Sequence, residues 1–245
     1  MSRTLVLITG ANQGIGLATA QILASKHNYH VIIGARNIAA GEKVASDLRA
    51  AGHAASSLEV DLSSEQSIKD AVATISRDFG YLDILINNAA ILLDGKANSY
   101  TSTWDLYTKT FTPNVFGTGV LTDELLPLLR RAKATPPTII FVSSIMGSVS
   151  GSFDSSTFWY PVDYKVYDAS KAAVNILTAN YHRILGPEGG KVNSVCPGLV
   201  KSNLTGFSEY GETTETGATR IVELATAGKD GESGTFTNRD GAVPW

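Results

Sequence analysis

The sequence predicts an α/β fold, a doubly wound parallel sheet with helices packed on both faces. Two observations carry this expectation. Short β-branched runs alternate with stretches of helical periodicity through most of the 245 residues. The apolar runs are nearly continuous, as in strands buried on both faces of a parallel sheet. The intervening stretches are long enough for helical crossovers, which are right-handed and return the chain parallel to itself. No linker, repeat or low-complexity tract divides the chain, so residues 1–245 are read as a single domain, a common size for α/β folds.

The elements follow in order. A strand at Leu5–Thr9 leads through a glycine-rich turn to a helix at Ile15–Lys26. A second strand, Val31–Gly34, precedes a helix at Ala40–Ala51, and a third, Ser57–Val60, precedes one at Glu65–Phe79. Ser63 with Gln66 has the spacing of a capping box for that third helix. Strands at Ile84–Asn87 and Thr138–Ser143 flank a helix at Val115–Arg131. A long helix, Val166–Leu185, precedes a strand at Lys191–Val195, and Gly234–Thr237 reads as the last strand before a short tail. Two segments break the pattern: the aromatic-rich Gly147–Tyr164 and the Gly/Thr/Glu-rich Thr205–Gly217. Both follow strand ends, where ligands bind in such sheets, so the pocket segments are expected at about 145–166 and 203–217. Ordinary surface loops are the competing reading, with even weight for the second segment.

Composition removes several classes of function. Hydrophobic residues make up 43% and charged residues 18%, which argues against disorder. A net charge of −3 supplies no field for gripping a phosphate backbone, so no nucleic-acid partner is expected. The single cysteine, Cys196, cannot form an intrachain disulfide and reads as a small buried hydrophobe. Met1-Ser2-Arg3-Thr4 runs into an apolar stretch, Leu5 to Ile8, too short for a signal peptide, and no window suits a membrane span. A soluble cytoplasmic chain is expected, with no metal site and with homo-oligomerisation left open.

The first strand runs into Thr9-Gly10-Ala11-Asn12-Gln13-Gly14-Ile15-Gly16, a GxxxGxG pattern between strand and helix. Gly10 suits the tight turn, Gly14 lets the backbone approach a pyrophosphate, and Gly16 allows close helix–strand packing. The pyrophosphate would sit on the helix N-terminus, where free N–H groups and the macrodipole favour negative charge. Proteins of this Rossmann type that use NAD place a carboxylate after the second strand to hold the ribose hydroxyls. Here the chain reads Gly34-Ala35-Arg36-Asn37, with a guanidinium and no acid. Arg36 suits bidentate binding of a 2′-phosphate, which favours NADP(H); a solvated surface arginine is the alternative. Asp61 suits the adenine amino group, or a turn before Leu62 and Ser63.

Only Tyr167, among nine tyrosines, has a lysine four residues on, Lys171. On a helix the two share a face. A phenol, with an ordinary pKa of about 10, is a poor acid–base group at neutral pH. A neighbouring ammonium favours the phenolate, and proton transfer to a carbonyl oxygen needs such a pair. In order along the chain come TGANQGIG, Asn87-Asn88-Ala89-Ala90, Ser143-Ser144, Tyr167-Asp168-Ala169-Ser170-Lys171 and Pro197-Gly198. With these five motifs the chain resembles the short-chain dehydrogenase/reductase family in its single-domain form, from Leu5 to about Ser202.

The resemblance implies a catalytic tetrad. Tyr167 matches the acid/base, and Lys171 matches the group that lowers its pKa and holds the nicotinamide ribose. Ser144 matches the hydroxyl that binds the substrate carbonyl, and Asn114 matches the asparagine that positions a water in the proton relay. Ser143 remains an alternative serine, and a helix cap an alternative role for Asn114. On the cofactor side the resemblance implies Asn88 and Ala89 near the adenosine ribose, Leu62 beside Asp61, and Val200 and Ser202 near the carboxamide and phosphates. Gln13 stands where many NADP-preferring members carry a basic residue, so Arg36 alone supports that preference. Ala90 replaces the commoner glycine.

The 23 positions separating Ser144 from Tyr167 exceed the family's usual spacing, and the excess carries Phe153, Phe158, Trp159, Tyr160 and Pro161. A substrate-pocket wall is favoured for these aromatics over an interface patch. A weaker resemblance, to the carbonyl-reductase and fungal norsolorinic-acid ketoreductase branch, rests on the C-terminal end and implies a bulky ketone, aromatic or polyketide. NADPH-dependent reduction of a small-molecule carbonyl is therefore expected. The alternatives are alcohol oxidation with NAD(P) and a nucleotide-binding regulator without turnover. A serine hydrolase is set aside because no GxSxG elbow is present. His27, His30, His53 and His182 read as solvated.

Overall fold

Continuous apolar runs become the strands of one sheet because only interior positions on both faces satisfy them. A computed structural model describes residues 3–245. Met1 and Ser2, where the N-terminal expectation begins, lie outside the described residues. The chain alternates from the start: β1 (Leu5–Thr9), α1 (Gly14–His27), β2 (His30–Ala35), α2 (Ile38–Ala50), β3 (Ala55–Glu59), α3 (Glu65–Asp78) and β4 (Ile84–Asn87). Helix α4 (Thr103–Phe111) passes through a π turn at Thr112–Gly117 into α5 (Thr118–Leu129), then β5 (Thr138–Val142). The remaining elements are α6 (Lys165–Leu185), β6 (Lys191–Val195), α7 (Thr214–Thr226), β7 (Phe236–Asn238) and β8 (Gly241–Ala242).

The eight strands are ordered β3-β2-β1-β4-β5-β6-β7-β8. All neighbours are parallel except β7 and β8. Strand order reverses beside β1, which pairs with β2 on one side and β4 on the other, Ile8 lying between Ile33 and Ile86. A crevice opens at the carboxyl ends of strands at such a switch point. Alternate residues face opposite layers. Leu5, Leu7, Leu85, Ile139 and Phe141 pack with Ile68, Ile75, Leu121, Leu125 and Tyr181 of α3, α5 and α6. Val6, Ile8, Ile33, Ile86 and Ile140 pack with Ala20, Leu23, Ala45, Ile221 and Leu224 of α1, α2 and α7. No helix among the described residues is long and apolar enough to cross a membrane.

Four expectations change. The loop expected over Thr205–Gly217 ends in a helix: Thr213 accepts Thr216 N–H at 3.2 Å, and α7 buries Ala218, Ile221, Val222, Leu224 and Ala225. Helix α4 was not expected, because it buries only Leu106 and Thr110 and so carries a faint apolar stripe. The helix expected over Val115–Arg131 is interrupted by the π turn. The cap of α3 is Ser64, not Ser63: Asp61 Oδ1 takes the Ser63 N–H at 2.8 Å, and this turn carries the chain one residue further before Ser64 accepts Ser67 N–H at 3.2 Å.

Candidate active site

A cleft of about 610 Å³ lies over the carboxyl ends of the strands. Its wall includes Gly10, Asn12, Gln13, Gly14, Ile15, Arg36, Asp61, Leu62, Asn88, Ala89, Tyr167, Lys171, Pro197 and Ser202, all expected. Gly16, Asn114, Ser144, Gly198 and Val200 do not line it. Gly16 stands behind the wall, where a Cβ would lie 2.5 Å from Asn88 Nδ2 and 2.7 Å from Gly10 O. Gly10 and Gly14 adopt φ of +67° and +58°, a region that favours glycine. The turn delivers α1 with no side chain on its first amides, since Gln13 makes no cap hydrogen bond. Those N–H groups and the helix dipole form an anion site suited to a pyrophosphate.

At the other end of that lobe, Arg36 is exposed and lines the cleft, while Asn37 is occupied in capping α2 by accepting Ala40 N–H at 3.1 Å. No carboxylate follows β2. Asp61 lines the cleft as well as making its turn. Asn88 joins two strand ends, its Nδ2 donating to Thr9 O at 2.8 Å. The donor set fits a dinucleotide lying across the strand ends with its pyrophosphate at the N-terminus of α1.

Helix α6 brings Tyr167 and Lys171 to the cleft. Tyr167 and Lys171 are 5% and 3% exposed. Lys171 Nζ donates to Val142 O at 2.8 Å and sits 5.6 Å from the centre of the Tyr167 ring. Burial pushes the lysine down to about 8. Burial also pushes the phenol above its ordinary value, with Cys196 and Asp168 adding to the rise and a hydrogen bond from Ser144 opposing it. Desolvation disfavours the phenolate in this setting.

Ser144 is the serine that faces Tyr167, and its Oγ also accepts Met146 N–H at 3.2 Å. Ser143 lines the cleft, but its hydroxyl donates to Lys171 O at 3.4 Å. Asn114 sits inside the π turn rather than at a helix start, so it is no cap. Its Oδ1 accepts Ile91 N–H at 2.9 Å, and its Nδ2 donates to Ile91 O at 2.9 Å and Ser170 Oγ at 3.1 Å. Cys196 is buried, accepts Ile145 N–H at 3.1 Å, and has its thiol pushed up by burial, which makes it a poor nucleophile.

The aromatic segment does not form the pocket wall. None of residues 145–166 lines the cleft, and Phe153 and Phe158 are 82% and 76% exposed. The segment is tied elsewhere: Ser150 donates to Trp245 O from its N–H at 3.1 Å and from its Oγ at 2.7 Å. Of the second segment, Asn203 and Leu204 reach the cleft, with Asn203 Nδ2 donating to Gln13 Oε1 at 2.6 Å. Three of the four histidines, His30, His53 and His182, are half-buried rather than fully solvated. His30 opens β2 and bonds Ser56 Oγ at 2.8 Å, and His182 Nδ1 bonds Ser233 Oγ at 2.9 Å. Sequence reasoning also missed the wall from Ile91 to Leu93 and Lys96. Those residues carry no motif; their position directly after Asn88-Ala89-Ala90 was the available signal.

Known proteins match this arrangement. A family model described as short chain dehydrogenase matches residues 4–212. The short-chain dehydrogenase anuI of Penicillium roqueforti is 34% identical over 238 residues, covering 95% of this chain and 92% of its own. Carbonyl reductase [NADPH] 1 of Mus musculus is 28% identical, with 100% of this chain and 99% of its own covered. Among solved structures, salutaridine reductase from Papaver somniferum superposes with a TM-score of 0.77 at 25% identity, covering 96% of this chain and 99% of its own.

Proposed function

The chain belongs to the short-chain dehydrogenase/reductase family, oxidoreductases that use a nicotinamide cofactor, and on that premise we propose that it reduces a ketone or aldehyde at the expense of NADPH. The cofactor supplies the hydride; the protein supplies orientation, polarisation and the proton. Ser144 and Tyr167 would hydrogen-bond the carbonyl oxygen, stabilising the charge that develops there. Tyr167 would give that oxygen its proton. Lys171 would hold the ribose and resupply the proton, and Asn114 would anchor the relay through the π turn it braces.

The observation that carries this reading is the pairing of buried Tyr167 and Lys171 in the cleft wall, where a phenol can hand a proton to a carbonyl oxygen and a lysine can resupply it. Arg36, in the cleft wall where a carboxylate would select NAD, supports NADPH. The leucines at 92, 93 and 204 give the substrate end an apolar lining suited to a bulky ketone, in keeping with the reductases it is similar to. A buried, free Cys196 suits a reducing, cytoplasmic setting.

Fluorescence titration with NADPH and NADH, together with cofactor consumption across a panel of aromatic and aliphatic ketones, tests the assignment. Wild type is expected to prefer NADPH and to turn over at least one ketone. Arg36→Asp is expected to lower NADPH affinity about tenfold or more, as loss of a charge-assisted bidentate contact does. An Arg36→Asp protein with unchanged NADPH affinity contradicts the cofactor assignment. Oxidation of alcohols alone, or no turnover at all, contradicts the reaction.

A further inference from the structure

Helix α6 enters the site without a cap of its own. The helices α2, α3, α4 and α7 are each capped by the residue just before them, Asn37, Ser64, Ser102 and Thr213, whose side chain accepts an amide of the first turn. Tyr164 occupies that position in α6 and makes no such bond. The acceptor arrives from a distant part of the chain. Asp94 Oδ1 takes the Val166 N–H at 3.0 Å and Asp94 Oδ2 takes the Tyr167 N–H at 3.2 Å, across separations of 72 and 73 positions. These are the second and third amides of the helix, the pair that an ordinary cap would serve.

Asp94 is 5% exposed, so its charge needs compensation where it lies. Lys165, the nearest cation along α6, makes its contact with Asp163, at 2.8 Å, and reaches Asp94 only through space. The two amides and the positive end of the 21-residue helix compensate Asp94. The peptide on the other side of Tyr167 is held as well. Ser170 Oγ donates to Tyr167 O at 2.7 Å and receives Asn114 Nδ2 at 3.1 Å. Asn114 in turn grips Ile91, three positions before Asp94. The backbone of Tyr167 is therefore fixed at both its N–H and its C=O by one circuit, closed through the segment that follows β4.

We propose that Asp94 is a positioning residue for Tyr167, its two carboxylate oxygens fixing the helix turn that aims the phenol at the substrate carbonyl. The proposal rests on the reading that Tyr167 donates the proton. Errors of about 1 Å at a reacting group can cost about a hundredfold in rate. Asparagine keeps one acceptor oxygen and turns an N–H₂ toward the other amide, while alanine removes both acceptors.

The test uses the full chain with the best ketone from the panel, comparing wild type, Asp94→Asn, Asp94→Ala and Tyr167→Phe. Asp94→Asn is expected to lower kcat about tenfold and Asp94→Ala about a hundredfold. NADPH affinity should stay within about twofold of wild type, since α1 and Arg36 are untouched. The solvent deuterium isotope effect on kcat should rise in Asp94→Asn, because a misaligned donor makes proton transfer limiting; a merely structural role would not move it. If Asp94→Ala does not fold, Asp94→Asn decides alone. Unchanged kcat in the asparagine variant, or reduced activity with an unchanged isotope effect, overturns the proposal. Full activity in Tyr167→Phe, by contrast, overturns the parent reading, and the role of Asp94 with it.

Discussion

Burial shifts three side chains in the first two turns of α6. Tyr167 is kept neutral, Lys171 is lowered to about 8, and Asp168 between them is raised to about 7 by burial, with Asp94 and Asp163 adding to the rise. Asp168 gives a prediction with a definite sign. Its ordinary pKa is about 3.9, so between roughly pH 4 and 7 the folded chain holds a proton that the unfolded chain has released. The contribution to stability is complete below about pH 4 and is lost as pH rises through about 7. Asp168→Asn should therefore raise Tm at pH 8 relative to wild type, with the difference vanishing toward pH 4. Thermal melts across that range check it, and equal melting points at pH 8 contradict it. The raised pKa depends on distant partners meeting around one turn, which no local pattern announces. Tyr167 and Lys171 were legible because helical spacing is local; Asp94 was not, because its amide partners lie 72 and 73 positions away.

Elements differ in how openly the sequence declares them. The strands β1, β2, β4 and β5 were readable because they are mostly apolar, β1 being buried at all five residues, whereas β3 and β6 carry polar residues and are marked by their place in the alternation. Helix α4 was hidden by its thin buried face, while the π turn carries a mark that went unused, Pro113, which has no N–H to continue the ordinary helical ladder. The glycine turn into α1 was readable in full, and there packing outweighs propensity. Replacing a helical glycine by alanine ordinarily stabilises by about 0.5–1 kcal/mol. At Gly16 the new Cβ would meet Asn88 Nδ2 at 2.5 Å and Gly10 O at 2.7 Å, and such overpacking costs about 1–3 kcal/mol. Gly16→Ala should thus lower Tm and weaken NADPH binding together, by moving α1 off its strand. A variant with unchanged melting and affinity would show that the contact relaxes without consequence.

At the scale of the molecule, one sheet gathers distant motifs at one cleft. Its switch point beside β1 opens onto the glycine turn, and α6 with the ends of β5 and β6 brings Tyr167, Lys171 and Pro197 to the same wall. That gathering was legible from motif order along the chain. The substrate wall was less so: the aromatic segment between Ser144 and Tyr167 is held toward the C-terminal strand by Ser150 and Trp245, while the inconspicuous residues after Ala90 line the cleft. Long-range tethers decide such placements, and composition does not encode them.

The central claim is that Tyr167 hands the proton to a carbonyl that NADPH reduces. Its most direct measurement is NADPH oxidation with the best ketone of the panel, in wild type and Tyr167→Phe, alongside NADPH affinity of both. The account predicts turnover reduced at least about a hundredfold, the scale of a general acid's contribution, with cofactor affinity retained. Turnover in the phenylalanine protein close to wild type would contradict it.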